Sequence, residues 1–411
     1  MRLVGTTVRG IRTPIIKEND DLASIVVDSV INASESEGFN FKDKDIIAIT
    51  EAVVGISEGN YATVDNIVSD LNAKFPSKKI GIVYPILSRN RFSMILKAIA
   101  RAMDKVTILL SFPSDEVGNG IMDENLLSAS PFNLGSLISE EDYEKYFGTF
   151  IHPFTGINMV DYYRDLVKSE NCDVEFVFSN NPSDILKYTN NVLTCDIHSR
   201  FKTKKVLSEQ GAFALSLSDI LNESVGGSGF NPDYGLLGSN KSTDERLKLF
   251  PKDGASLVLK IKDEMFKRTG KNFEVMVYGD GAFKDPVGGI WELADPVVSP
   301  FYTEGLKGTP NEIKLKYVSD NMFADLRGDE LKDAIKEEIK KKDNDLKGQN
   351  VSLGTTPRRI TDLVGSLCDL TSGSGDKGTP VVLVQGYFDN LADEQYLSLI
   401  HISEPTRRTP I

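Results

Sequence analysis

Cysteine and histidine are scarce in this chain, and the scarcity removes several chemistries. Its three cysteines, Cys172, Cys195 and Cys368, lie far apart with no Cys-x-x-Cys spacing. That argues against a disulfide scaffold and a cysteine-rich zinc site, and favours a reducing compartment. No His-Glu-x-x-His and no Gly-x-Ser-x-Gly elbow is present, and with His401 set aside in the adapter-like tail 397–411, a Ser-His mechanism would have to use His152 or His198. His198 follows an apolar strand, where ligand sites of α/β sheets gather, but a hydrogen-bonded structural histidine fits the same position. There is no Gly-x4-Gly-Lys-Ser/Thr and no clean Gly-x-Gly-x-x-Gly after a strand. No apolar run approaches about 18 residues, which removes a membrane-spanning helix and a membrane partner. Lys and Arg number 47 against 60 Asp and Glu, a formal charge of −13. The broad basic footprint of a nucleic-acid binder is therefore missing, although a local basic pocket remains compatible. The first residues open into strand-like sequence with no signal-peptide core, so a cytoplasmic protein is expected.

What is present is enough for a sizeable core. The 411 residues are 40% hydrophobic and 26% charged, and the length predicts two or three domains. Leu22, Ile25, Val26 and Val30 make a helical stripe behind Asp20 and Asp21, interrupted at Ser29. Ile46–Ile49 reads as a buried strand, and residues 61–74 read as a helix through Val64, Ile67, Val68 and Leu71. From 78 to 220 short buried strands alternate with helices, which predicts a parallel, helix-covered sheet. Residues 113–150 read as a long irregular excursion. Gly226-Gly-Ser-Gly229 is the clearest boundary. Helices are predicted over 254–269, over Asp329 to Lys342 on a solvated charged face, and from Pro357 onward; strands are predicted at Phe273–Tyr278 and Val381–Val384. Leu397–Arg407 matches, residue for residue, the conceptual translation of a transposase sequencing adapter, so 397–411 carry no expectation about the fold.

Three segments carry chemical information. Asp280, at the end of a strand and followed by Gly281, offers an oxygen ligand to a hard cation with room for phosphate; a capped strand-to-loop turn has the same pattern. Gly373-Ser-Gly-Asp376-Lys-Gly378 can expose successive backbone N–H groups to an anion, as any flexible surface loop would. Gly354-Thr-Thr-Pro357-Arg358-Arg359 predicts an N-cap at Thr356 and a phosphate-receiving helix start with two arginines, or simply a well-capped helix. Together they describe a nucleotide–metal site without naming a reaction.

At these residues the chain resembles the coenzyme F420-0:γ-glutamyl ligase family. The resemblance is carried by Gly10–Pro14 with Asp20-Asp21-Leu22, by Asp45–Thr50 with Glu58-Gly59, and by Gly235–Asn240 with Pro251. It continues through Thr269-Gly-Lys271 to Asp280 and closes with Gly373–Gly386. It implies a ligase-like domain over 1–75 and 226–396, split by an inserted α/β domain at 78–225. The expected fold class is α/β with α+β elements.

The resemblance also implies an activity: joining L-glutamate to a lactyl-phospho-deazaflavin through a γ-glutamyl amide, with GTP and a divalent metal, in a homodimer. By resemblance Asp280 is a metal ligand, with Gly281 where the family has a metal-binding threonine. Asn240 is a nucleotide contact, and Ser374 stands where the family has Gln or Glu. Two positions depart from the pattern: Leu237 replaces a metal aspartate and Ile56 a nucleotide-contacting lysine. Asp233, Asp285 or Asp376 would then have to rebuild the site.

The leading expectation is a carboxylate–amine ligase that uses GTP or ATP with Mg2+ or Mn2+ through an acyl phosphate. Its substrates would be a small-molecule carboxylate and an amino acid, glutamate by resemblance. The expected nucleotide residues are Asn240, Arg358, Arg359, Gly373, Ser374, Gly375 and Gly378; the expected metal residues are Asp280, Asp285 and Asp376. The alternative is a nucleotide- or phosphometabolite-binding protein without catalysis, which Leu237 and Ile56 favour. An oxidoreductase built on the 78–225 region ranks last, for want of a dinucleotide fingerprint.

Overall fold

The computed structural model describes residues 4–148, 150–153, 155–279, 299–355, 358–372 and 376–393. They form a mixed α/β protein with three sheets.

The first sheet has the order β1 (Thr7–Ile11), β14 (Val381–Gln385), β2 (Ile46–Thr50), β12 (Glu274–Tyr278), β13 (Phe301–Tyr302). β2 and β12 are parallel, with Thr50 opposite Tyr278, and the other pairs are antiparallel. Ile46 to Ile49 of β2 are apolar and buried at every position, and because successive side chains point to opposite faces, both faces are covered. Ile47 and Ile49 face α1 (Leu22–Glu37) and α9 (Gly254–Thr269), in a core with Val26, Ile261 and Val277. Ile46 and Ala48 face α12 (Ile360–Ser372), in a core with Met276, Val364 and Val382. Asp21 caps α1, and Gly270, at φ +68°, ends α9 in the left-handed conformation that glycine adopts without cost.

The second sheet has the order β6 (Ile138–Ser139), β7 (Asp173–Phe178), β5 (Lys105–Leu110), β4 (Lys79–Val83), β8 (Asn191–Thr194), β9 (Phe213–Ser216). Every pair is parallel except β6 with β7. One face packs on α3 (Val64–Lys74), α4 (Phe92–Ala102) and α7 (Met159–Ser169). Leu207 of α8 (Arg200–Glu209) covers the other face with Val83 and Leu109.

The third sheet, β10 (Asn240–Thr243), β11 (Arg246–Lys248) and β3 (Tyr61–Thr63), is antiparallel. Its Ala62 and Leu247 share a core with α3 and α4. Arg101 of α4 fastens it, reaching Glu170 at 2.9 Å, Glu245 at 2.8 Å and Asp65 at 3.0 Å.

Three expectations are corrected. Tyr61–Thr63 is a strand rather than the first turn of a helix, because Thr63 caps α3 and β11 pairs with all three residues. The interval 113–150 is not wholly irregular: it holds α5 (Glu124–Ala129), β6 and α6 (Glu140–Phe147), whose Tyr143 stacks on Phe178 at 4.1 Å. The helix predicted from Pro357 begins at Ile360, where the Arg359 carbonyl accepts the first helical N–H groups, from Asp362 and Leu363. Finally, α10 (Leu315–Asn321) and the charged α11 (Gly328–Lys341) bury only a narrow seam, Val318 with Ile335 and Ile339.

Candidate functional site

Three connections of the first sheet meet at one end of it. β1 runs out at Ile11 beside Val381, where β14 begins, and β2 ends at Thr50 beside the end of β12. The Thr13 N–H donates to the Gly378 carbonyl (3.2 Å) and the Thr50 N–H to the Pro380 carbonyl (3.0 Å), which ties the three connections together. Against them stands the three-stranded sheet. Between the two lies a cleft of about 720 Å3, lined by Thr13–Ile16, Thr50–Val53, Ile56, Tyr61, Asn90–Arg91, Asn240–Ser242, Lys248, Asp369, Ser372 and Gly378–Pro380.

The cleft's floor holds a buried ion pair. Glu51 opens α2 (Glu51–Ser57) directly after β2, and Lys248 ends β11; the ammonium donates to the carboxylate at 2.6 Å. Their side chains are 5% and 7% exposed. Such a pair is costly to desolvate, so its place at a cleft is a stronger pointer to chemistry than to stability. At the rim the Asn240 Oδ1 accepts from the Asn90 amide at 3.0 Å, and the Asn90 carbonyl accepts from the Lys241 N–H at 2.8 Å. Tyr61 is capped by the Arg246 guanidinium, 3.8 Å from its ring centroid, and burial pushes its phenol up.

The expected site residues divide into three groups. Asn240 and Gly378 line the cleft, and Gly378 takes φ +67° with open space around it. Arg358, Arg359 and Asp376 are exposed and outside its lining, and Arg359 pairs with Asp362 at 3.1 Å. Asp280, Asp285, Gly373, Ser374 and Gly375, like Thr356 and Pro357, lie outside the described residues. Chain position still bears on two of these segments: β12 ends at Tyr278, two residues before Asp280, and α12 delivers Asp369 and Ser372 to the cleft just before Gly373.

The two departures from the family pattern differ in placement. Ile56 lines the cleft, a few residues along α2 from Glu51. Leu237 is 2% exposed and belongs to the apolar core with Leu236 and Leu249, so no carboxylate stands there. Asp233 is exposed. Among the described residues no three His, Cys, Asp or Glu side chains are grouped to hold a metal.

Other motif residues act as struts. Glu58 accepts from the Lys252 and Asp253 N–H groups at 2.9 and 3.0 Å, fixing the start of α9, and burial raises its carboxyl despite them. His152 is buried, its Nδ1 accepting from the Thr155 N–H at 3.3 Å, and burial lowers its pKa. His198 is exposed, away from the cleft, with its N–H donated to Glu116.

Sequence reasoning missed Glu51, Lys248 and Arg91. The one available signal was Lys248 itself, a charge inside the apolar run Leu247–Phe250.

No helix among the described residues is long and apolar enough to cross a membrane. No curated protein matches the chain. The family model described as F420-0:Gamma-glutamyl ligase matches residues 10–386. The chain therefore belongs to the F420-0:γ-glutamyl ligase family.

Proposed function

We propose that the cleft binds a nucleoside triphosphate and joins a carboxylate to an amine through an acyl phosphate. The observation that carries this reading is the buried Lys248–Glu51 pair at the convergence of β2, β12 and the Gly378 connection. A lysine held in place by a buried carboxylate in a cleft is a preorganised group of the kind that suits the charge developing during phosphoryl transfer. Lys248 would supply the positive charge that Ile56 cannot.

In the proposed reaction a substrate carboxylate oxygen attacks the terminal phosphorus of GTP or ATP, forming an acyl phosphate as the bond to the β-phosphate breaks and GDP or ADP leaves. The amine nitrogen of glutamate then attacks the acyl carbon and expels inorganic phosphate, losing a proton as the amide forms. Asn240 and the Gly378 backbone would hold the phosphate chain, with Arg358, Arg359, Gly373, Ser374 and Gly375 as the further nucleotide contacts. Mg2+ or Mn2+ would neutralise phosphate charge, bound by Asp280 with Asp285 and Asp376. Leu237, in the apolar core, does not fit a ligand role, so the metal set is proposed from those carboxylates instead.

The second reading, nucleotide binding without catalysis, is favoured by Leu237 standing in the apolar core. Hydrolysis of GTP or ATP that depends on F420-0 and glutamate separates the two. Binding with no substrate-dependent turnover would select the second.

A further inference from the structure

The loop between β4 and α4 comes from the six-stranded sheet, yet its last two residues line the cleft against the other sheets. This placement is built in. The Tyr163 hydroxyl, fully buried, donates to the Ile86 carbonyl at 2.7 Å and accepts from the Ser88 N–H at 2.8 Å. Asp115, also buried, accepts from the Leu87 N–H at 2.8 Å. The Ser88 hydroxyl then accepts from the Arg91 N–H at 3.1 Å, and Asn90 locks onto Asn240 and Lys241. A loop held by two buried polar groups and then latched to the opposite wall presents Arg91 in a fixed position rather than as a mobile surface charge.

Arg91 is half-buried and stands among Asn240, Lys241 and Lys248, all lining one cleft. The Lys248 ammonium is held by Glu51 and the Lys241 ammonium by Asp244, each at 2.6 Å, so the planar, permanently charged guanidinium with the Asn240 amide is the part of this wall suited to a phosphate oxyanion.

We propose that Arg91 is a phosphate-binding, specificity-determining residue of the cleft, supplied by the six-stranded-sheet region, with Asn90 positioning Asn240 beside it. The inference rests on the reading of the cleft as a phosphate-handling site. The phosphate belongs either to the nucleotide or to a phosphorylated acceptor.

The test is calorimetric titration of the full chain, wild type, Arg91→Ala, Arg91→Lys and Asn90→Ala, with GTP, inorganic triphosphate and phenyl phosphate. Thermal melting checks that each variant is folded. Arg91→Ala is expected to weaken binding by about tenfold to a hundredfold, as loss of a charge-assisted hydrogen bond does. Arg91→Lys should recover part of that loss, and Asn90→Ala should show a smaller one. Loss for GTP and triphosphate assigns Arg91 to the nucleotide; loss confined to phenyl phosphate assigns it to the acceptor. Equal affinity of wild type and folded Arg91→Ala for all three probes would overturn the proposal while leaving the cleft reading intact. Wild type that binds none of the three would remove both.

Discussion

Breaking the Glu51–Lys248 pair offers the sharpest separation of structural from chemical roles in the cleft. The two groups are 5% and 7% exposed and 2.6 Å apart. Removing one partner leaves the other charge buried, which in comparable settings costs about 3–5 kcal/mol. Lys248→Met and Glu51→Gln should each therefore lower unfolding free energy by about 3 kcal/mol. The double variant removes both charges, so it should be less destabilised than the sum of the singles by about 2 kcal/mol or more. Urea unfolding at neutral pH measures all four corners of this cycle. GTP titration of the same proteins adds the functional axis, since the double variant should be folded yet bind nucleotide at least about tenfold more weakly than wild type. Single variants within about 0.5 kcal/mol of wild type, or strictly additive effects, would refute the buried-pair argument. A double variant that binds GTP like wild type would make the pair a structural feature alone.

Asp115 should make stability depend on pH. Burial pushes its carboxyl up to about 6, against the pull of the Leu87, Asn119 and Val117 donors. A carboxyl raised in the folded state contributes stability that is full below its unfolded value near 3.8 and lost as pH rises through about 6. Relative to Asp115→Asn, wild type should gain up to about 3 kcal/mol between pH 7 and pH 4 in paired unfolding experiments, and a constant difference would contradict this. Leu237→Asp should cost about 3 kcal/mol or more, because it places a carboxylate in the apolar core, and a folded variant of unchanged Tm would count against that packing. Asp280→Asn should weaken GTP binding when Mg2+ or Mn2+ is present and change it little under a chelator; equal binding in saturating metal would remove Asp280 from the site.

Elements whose patterns are local were legible in the sequence. The helix Gly254–Thr269 follows from its apolar spacing and the glycine that ends it, and β2, β12 and β14 follow from short apolar runs. Tyr61–Thr63 was not legible, since a three-residue strand has no period of its own and exists through pairing with β11, far away in the chain. The interval 113–150 was hidden for a similar reason: α5 and α6 are short and polar, and tertiary contacts such as Tyr143 on Phe178 hold them.

The site divides the same way. Asn240 and Gly378 sit in recognisable segments, whereas the Glu51–Lys248 pair joins residues 197 apart and Arg91 reaches the cleft from a different sheet. No spacing rule connects such residues, because only the convergence of sheets brings them together.

The most direct test of the ligase reading is mass spectrometry of the reaction between the purified protein, F420-0, glutamate, Mg2+ or Mn2+ and GTP or ATP. A product heavier by one glutamyl residue is expected, formed only with nucleotide present and abolished in the folded Glu51→Gln/Lys248→Met variant. A product that forms without nucleotide, or that persists in that double variant, would contradict the ligase reading.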